Sequence, residues 1–391
     1  MTLTPIPERP QPARFATVDL DRVPQVQHLL DRLGLGRYDR STVVTLPGRN
    51  DTWAGPTTTG AAVFVKRLTG PKEDVRQRLD RALTFERFSD HAPAGHLRGP
   101  RLLGHDADAG LMAFEYLADA RGGDILTGTG PEAADTAWKT GGALARLHGT
   151  AAPSGGAGLE HRPPALPSDF LLRGLPLPMY ERASGAELQA WHLLQNDPAV
   201  LDAIDSLLDA ERTAPRGPAH CDLRLDQLLI TPGSPTGALA ADWEEFRLAD
   251  PARDVGSLAG EFLYRSVMDI VSPGAPDLPS NGSDGTDREQ FPDTTLTRGD
   301  VLRRGAGALA RLRPVVRAFW SGYRAERPDA DPRLAERATA FAGWHTIDRL
   351  LAAAARRNRL LGIERAAAGI GRTALLEPAR FAPVIGLGGQ G

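Results

Sequence analysis

Asp222, Gln227 and Asp242 are the residues of this 391-residue chain whose types and spacing point most directly to chemistry. A carboxylate is followed five residues later by an amide, and then by a second carboxylate across a short predicted hairpin. Such a set can gather at one sheet edge. It suits phosphoryl transfer to a hydroxyl, which needs one carboxylate to orient the hydroxyl and take its proton, and oxygen ligands for the metal on the phosphates. The first two residues lie in His220-Cys221-Asp222-Leu223-Arg224-Leu225-Asp226-Gln227, the third in Asp242-Trp243-Glu244. Lys66 joins them for a compositional reason. Lys and Arg total 46, of which only Lys66, Lys72 and Lys139 are lysine, leaving 43 arginines. In so arginine-biased a chain, a lysine marks a place that Arg serves poorly, and a compact ammonium on a flexible stem suits a phosphate contact.

The elements around these residues fall into two regions. Residues 1–40 form an N-terminal extension, Pro-rich at first and then amphipathic, with Val26, Leu29, Leu30 and Leu33 at helical spacing. Residues 41–118 are β-rich. Thr42–Leu46 (TVVTL) reads as a strand, Pro47–Gly55 as a turn-rich loop, and Ala61–Leu68 as a second strand carrying Lys66. A helix over Asp74–Ser89 and short strands over Arg101–His105 and Leu111–Tyr116 complete that region. Residues 119–385 are mainly helical, and Gln227–Thr231 and Gly237–Ala241 form a hairpin around Pro232–Thr236. Residues 272–298 are polar and rich in Gly and Pro, the composition of a mobile surface insertion. The fold class is therefore α+β.

The motifs together resemble the aminoglycoside phosphotransferase family, a branch of the protein-kinase-like fold. That family carries His-Gly-Asp-x-x-x-x-Asn, then Ile-Asp-Trp-Glu, then Gly-Asp-Pro-x-x-Asp-Leu-Ala. Here stand His220-Cys221-Asp222 with Gln227, then Ala241-Asp242-Trp243-Glu244, then Ala249-Asp250-Pro251-Ala252-Arg253-Asp254-Val255-Gly256, with the spacing kept. The resemblance covers about residues 41–270. It implies a two-lobed fold with a small β-rich N-lobe that binds nucleotide over 41–118 and a larger helical C-lobe over 119–385.

It also implies roles. Asp222 is the catalytic carboxylate, and Gln227 and Asp242 hold Mg²⁺, with Asp226 an alternative to Gln227. Lys66 pairs with the α- and β-phosphates of ATP, and Glu86, or else Glu73, is its ion-pair partner. Gly48 and Asn50 belong to the loop that covers the nucleotide. Glu115 and Leu117, in Phe114-Glu115-Tyr116-Leu117, offer backbone groups to adenine. Ala143–His148 resembles the family's Leu-Ala-x-Leu-His helix. Asp250 and Asp254 are expected to tie their segment to the catalytic loop.

Two departures from the pattern bear on chemistry. Cys221 replaces a glycine and is expected to be a small buried residue rather than a nucleophile, because no oxyanion motif accompanies it. Gln227 replaces asparagine, lengthening by one methylene an arm that must meet the tight octahedral geometry of Mg²⁺.

Composition excludes several other classes. A net charge of −3 gives no nucleic-acid footprint. No apolar run approaches a membrane span, no signal peptide is evident, and one cysteine cannot make an internal disulfide. A cytoplasmic protein is expected. Gly386–Gly391 fits G-x-G-x-x-G but precedes no helix, so the dinucleotide reading fails.

The acceptor is less constrained. Residues 301–380 carry 16 Arg against 7 Asp plus Glu, a net of +9. That sign opposes a polycationic sugar and favours an anionic partner. The His220–Gln227 and Asp242–Gly256 segments also resemble the kinase subunits of class V lanthipeptide synthetases. That resemblance implies phosphorylation of Ser or Thr in a precursor peptide, with a separate lyase as partner. The alternatives are a kinase of a small hydroxylated metabolite or antibiotic, and a catalytically dead kinase-like binding module.

Overall fold

The computed structural model describes residues 18–46, 48–128, 130–151, 159–164, 166, 169–271, 298–329 and 331–388. The expected insertion at 272–297, the Pro-rich start and the last three glycine-rich residues lie outside them. The chain forms two compact units. One holds the described residues of Met1–His91 with Arg98–Ala120 and Ala241–Phe246; the other holds Ala92–Leu97, Arg121–Ala240 and the described residues of Arg247–Gly391.

The first unit is built on a four-stranded antiparallel sheet. Helix α1 (Pro24–Arg32) begins at a proline, whose missing N–H costs nothing in a first turn. Its buried Val26, Leu29 and Leu30 pack with Trp53, Val63, Val65, Leu111 and Ala113, so the stretch read as an extension supplies part of this core. Strands β1 (Asp51–Pro56), β2 (Ala62–Arg67), β3 (Leu102–Asp106) and β4 (Leu111–Glu115) run in the order β1-β2-β4-β3. Helix α2 (Lys72–Ser89) packs Leu79 and Ala82 with Met112 and Leu68 in a separate cluster. Strand alternation decides what this does for Lys66. Val63 and Val65 belong to the α1 cluster, so Lys66, opposite Met112, points to the α2 face.

The first strand differs from the expectation. Thr42–Leu46 makes only an isolated bridge, Val44 to Ala54, and Val44 and Leu46 are exposed. The strand is Asp51–Pro56, inside the stretch read as a turn. Trp53 is fully enclosed there, whereas Thr42–Leu46 gives the same core only Val43.

In the second unit, β5 (Arg121–Gly122) leads to α3 (Pro131–Gly149), α4 (Asp169–Arg173), α5 (Leu177–Arg182), α6 (Gly185–Gln195) and α7 (Pro198–Thr213). Strand β6 (Gly217–Ala219) precedes the catalytic loop. The expected hairpin follows as β7 (Leu228–Ile230) and β8 (Leu239–Ala240), with Leu228 opposite Ala240. Strand β9 (Arg247–Ala249) pairs with β6. Helices α8 (Ala252–Met268), α9 (Arg298–Glu326), α10 (Leu334–Ala354), α11 (Gly362–Leu376) and α12 (Pro378–Ile385) complete it.

Helices α3 and α9 touch backbone to backbone. A Cβ on Gly141 would lie 2.0 Å from the Phe319 oxygen, and one on Gly322 would lie 1.9 Å from the Trp138 oxygen. Gly322→Ala must therefore push the pair apart, against a gain in helix propensity of under about 1 kcal/mol. We expect a net loss of about 1–3 kcal/mol, as for other overpacked cores. Urea denaturation measures it, and a neutral result would show that the two helices do not meet at these glycines.

Candidate active site

The first unit gathers its charged groups around one carboxylate. Lys66, on the α2 face of β2, donates to Asp242 Oδ1 at 2.6 Å and pairs with Glu244 Oε1. The other Glu244 oxygen accepts Arg78 Nε at 2.7 Å and a second bond from Arg78 Nη2. The Asn50 amide donates to Glu244 Oε1 at 3.2 Å, and its oxygen takes Arg78 Nη2 at 2.9 Å and the Thr69 N–H at 3.2 Å. Lys66, Arg78 and Glu244 are all buried. Burial alone would lower the Lys66 ammonium pKa, but Asp242 and Glu244 outweigh it and hold the value above the usual lysine range. Lys66 is therefore a cation at any physiological pH.

Local geometry brings Asp242 and Glu244 to the same lysine. Asp242 adopts a left-handed backbone, φ 64° and ψ 49°, which Asp tolerates better than most residues. The turn Trp243–Glu245 then packs on α2. Trp243 stacks on Phe85 with centroids 3.5 Å apart, Phe246 meets Phe85 edge-on at 5.1 Å, and Arg81 binds Glu245 at 3.1 Å.

The expected Lys66–Glu86 pair is not formed. Arg78 is the α2 residue at Lys66's carboxylates, and Glu86, eight residues on, lies about 12 Å further along the helix at the usual rise. Glu86 is half-buried, and burial and the nearby Asp90 push its carboxyl up to about 7. Glu73 instead accepts from Gln77. Of the remaining expected nucleotide contacts, the Glu115 N–H bonds Arg101 O and the Leu117 oxygen accepts the Ala120 N–H. A Cβ on Gly48 would meet only the Asn50 oxygen, at 3.8 Å, so crowding does not demand glycine there.

The second unit holds the loop expected to be catalytic. Asp222 Oδ2 accepts the Gln227 amide at 3.1 Å, and Arg224 Nη1 binds both Asp222 oxygens at 3.2 and 3.1 Å. The Gln227 oxygen in turn accepts the Arg224 N–H at 3.0 Å. One buried glutamine thus closes the loop on itself and aims the carboxylate. The extra methylene relative to asparagine is taken up by this internal bond. Asp226 is held by Arg224 Nε at 3.0 Å.

Asp254, in the first turn of α8, anchors the start of the loop. It accepts the His220 and Cys221 N–H groups, each at 2.7 Å, and lies 3.0 Å from His148 Nε2. Burial would raise its carboxyl, but His148 and His220 hold it below the ordinary value. His220 accepts the Asp222 N–H through Nδ1 at 3.3 Å, so that nitrogen carries no proton and the ring positions the loop. Asp250 caps Ala252 N and is gripped by the Arg337 fork at 2.6 and 3.0 Å.

Cys221 is half-buried and has φ 68°, which explains why glycine fits this position well. Burial and Asp254 push its thiol far above the usual range, so it supplies no thiolate.

Sequence reasoning missed Arg78 and Glu261. Arg78 sits on the apolar stripe of α2 with Ala82 and Phe85, a placement that signals a buried pair. Burial would raise Glu261 on α8, but His345 at 2.7 Å, Arg349 at 3.5 Å and the field of Arg224 hold it low. Among the described residues, no three His, Cys, Asp or Glu side chains gather as a metal cage, and no helix is long and apolar enough to cross a membrane.

The model of the phosphotransferase enzyme family matches residues 48–276. Similar solved structures include choline kinase LicA from Streptococcus pneumoniae, at 15% identity and a TM-score of 0.48 over 90% of this chain and 98% of that one. The amicoumacin kinase hAmiN complex with AMP-PNP and Ca²⁺ gives 12% and 0.47, over 92% and 96%. Spectinomycin phosphotransferase with ADP and its antibiotic gives 14% and 0.45, over 92% and 97%. No curated protein matches the sequence.

Glu86 yields a pH test. Its carboxyl ionises near 4.5 in the unfolded chain and near 7 in the fold, so the folded state binds more protons between those values. Stability must then fall as pH rises through that window. Glu86→Gln is expected to raise the melting temperature at pH 8 and to change it little at pH 4.5. Melting curves at the two values check this, and an equal shift at both would contradict it.

Proposed function

Since the chain belongs to the phosphotransferase enzyme family and transfers phosphate to hydroxyl groups, we propose that it is an ATP- and Mg²⁺-dependent kinase of Ser and Thr in a lanthipeptide-type precursor peptide. A separate lyase then eliminates the phosphate. The observation that carries the catalytic part is the Asp222 carboxylate, 44% exposed yet held by Gln227 and Arg224. It would accept the acceptor hydroxyl's hydrogen bond and take the proton as the new O–P bond forms and the bond from the γ-phosphorus to the bridging oxygen breaks, with ADP leaving. Lys66 meets the nucleotide phosphates, the Gly48–Asn50 loop covers them, and the backbones of Glu115 and Leu117 hold adenine. Asp242, 41% exposed at its side chain, would offer Mg²⁺ a hard oxygen ligand. Gln227 is the other ligand the family motif implies, and its oxygen would have to serve the ion while also accepting the Arg224 N–H. When bound, the ion neutralises charge on the phosphates.

Charge supports the choice of acceptor. Several arginines behind the +9 of residues 301–380 are paired internally, as Arg337 is with Asp250 and Arg372 with Asp197. The connection between α10 and α11 nevertheless exposes Arg356 and Arg359, on either side of the Arg357 that pairs with buried Glu364 at 3.4 Å, and an acidic leader gains Coulomb attraction there.

Two measurements test the reading. Asp222→Asn should lower turnover roughly 100-fold or more while leaving MgATP affinity nearly unchanged, because a general base acts mainly in the transition state; near-full activity would remove Asp222 from this role. Phosphate transfer should favour a Ser/Thr-rich precursor peptide over a panel of aminoglycosides, and reversing Arg356 and Arg359 to Glu should raise the peptide's KM. That dependence should weaken with salt, since exposed charges are screened beyond about 8 Å at physiological ionic strength. Efficient turnover of the aminoglycosides with none of the peptide overturns the acceptor assignment.

A further inference from the structure

Lys66 lies between two carboxylates, Asp242 and Glu244. A third carboxylate contributed by α2 would leave this buried group with a net charge of −2. The helix instead presents Arg78, which sets two cations against these two anions, while Asp74 of the same helix, 3.4 Å from Arg78 Nη1, is paired with Arg49 at 2.9 Å. Arg78 is 1% exposed and every guanidinium nitrogen is used: Nε and Nη2 on Glu244 Oε2, Nη2 also on Asn50 Oδ1, and Nη1 on Thr69 O at 3.0 Å and Asp74 Oδ2 at 3.4 Å. With two donors converging on Oε2, it pins that oxygen more firmly than a single ammonium does. With Oε2 so fixed, Oε1 is aimed at Lys66.

Resting on the kinase reading, we propose that Arg78 is a positioning residue for phosphoryl transfer, acting through Glu244 on Lys66. Helix α2 thereby sets the lysine's orientation with a cation and a relay carboxylate, and Glu86 has no part in it. The Asn50 side chain shares both Glu244 and Arg78, so the same relay places the Gly48–Asn50 loop relative to the lysine. Moving α2 moves Glu244, and Lys66 and the loop respond together.

The test uses the full chain, with water as acceptor: ADP release at saturating MgATP, and MgATP affinity by calorimetry. Arg78→Met should lower ADP release at least tenfold while affinity changes less than threefold, since orientation of the lysine acts on the transition state more than on binding. Arg78→Lys should recover part of the rate. Glu244→Gln should reproduce the loss, and the double variant should be no worse than the worse single one, because both act on one unit. Glu86→Gln should stay within twofold of wild type. If Arg78→Met fails to fold, Arg78→Lys and Glu244→Gln carry the comparison. Unchanged release in Arg78→Met, additive losses, or an equal loss in Glu86→Gln each overturn the proposal while leaving the kinase reading intact. A wild-type chain that neither binds nor hydrolyses MgATP overturns that reading itself.

Discussion

The first unit depends on a single buried carboxylate. Glu244 touches Lys66 on β2, Arg78 on α2 and Asn50 in the loop before β1, so three separate pieces of chain are fixed by one side chain. Burying a charge is costly unless it is paired and its remaining lone pairs are filled. Here two cations and an amide fill them. Removing either cation would leave an uncompensated charge in a dry place, a loss of about 3–5 kcal/mol for pairs of this kind. The arrangement is thus rigid because the alternatives are expensive. The stack of Trp243 on Phe85 adds an apolar anchor beside it, keeping the turn that carries Glu244 against the helix that carries Arg78.

A second buried carboxylate plays the corresponding part in the other unit. Asp254 takes two successive backbone N–H groups at the start of the catalytic loop and is itself steadied by His148, whose Nδ1 lies 2.9 Å from the Tyr323 hydroxyl. Those contacts hold Cys221 in a left-handed conformation that a non-glycine residue adopts at a cost of about 1–2 kcal/mol. Cys221 and Asp242 are the two non-glycine residues with positive φ among those described, and each adjoins or supplies a chemical group. Strain of this sort persists only where surrounding bonds over-determine the backbone.

Much of this was legible in the sequence. The spacing of Asp222, Gln227, Asp242 and Asp254 gave the loop, the hairpin and the helix start, because those motifs are local and their turn chemistry is explicit. The alternation Val63-Phe64-Val65-Lys66 placed the lysine on one face. What failed was non-local. Thr42–Leu46 has strand propensity but no partner beyond one bridge, whereas Asp51–Pro56 is a strand because Trp53 has a core to fill. Glu86, or else Glu73, was the partner for Lys66 that the family resemblance implied. Choosing between Glu86 and Arg78 required knowing that Glu244, 178 residues beyond Lys66 in the chain, already supplies the carboxylate.

Each unit pairs an exposed carboxylate with a buried side chain bonded to it. Asp222 is 44% exposed, and its holder Gln227 is 3% exposed. Asp242 is 41% exposed at its side chain, and its partner Lys66 is 6% exposed. A carboxylate that must meet a metal or a hydroxyl has to stay near solvent, where side chains are free to rotate. Orientation must then come from a neighbour that cannot rotate, and burial is what denies it the freedom. The holder's hydrogen bonds are also stronger in a low-dielectric setting than they would be at the surface. Exposed reactive oxygens on buried supports therefore give preorganisation without closing off the reactive atoms, and a chain with few ligands at each point can still direct them.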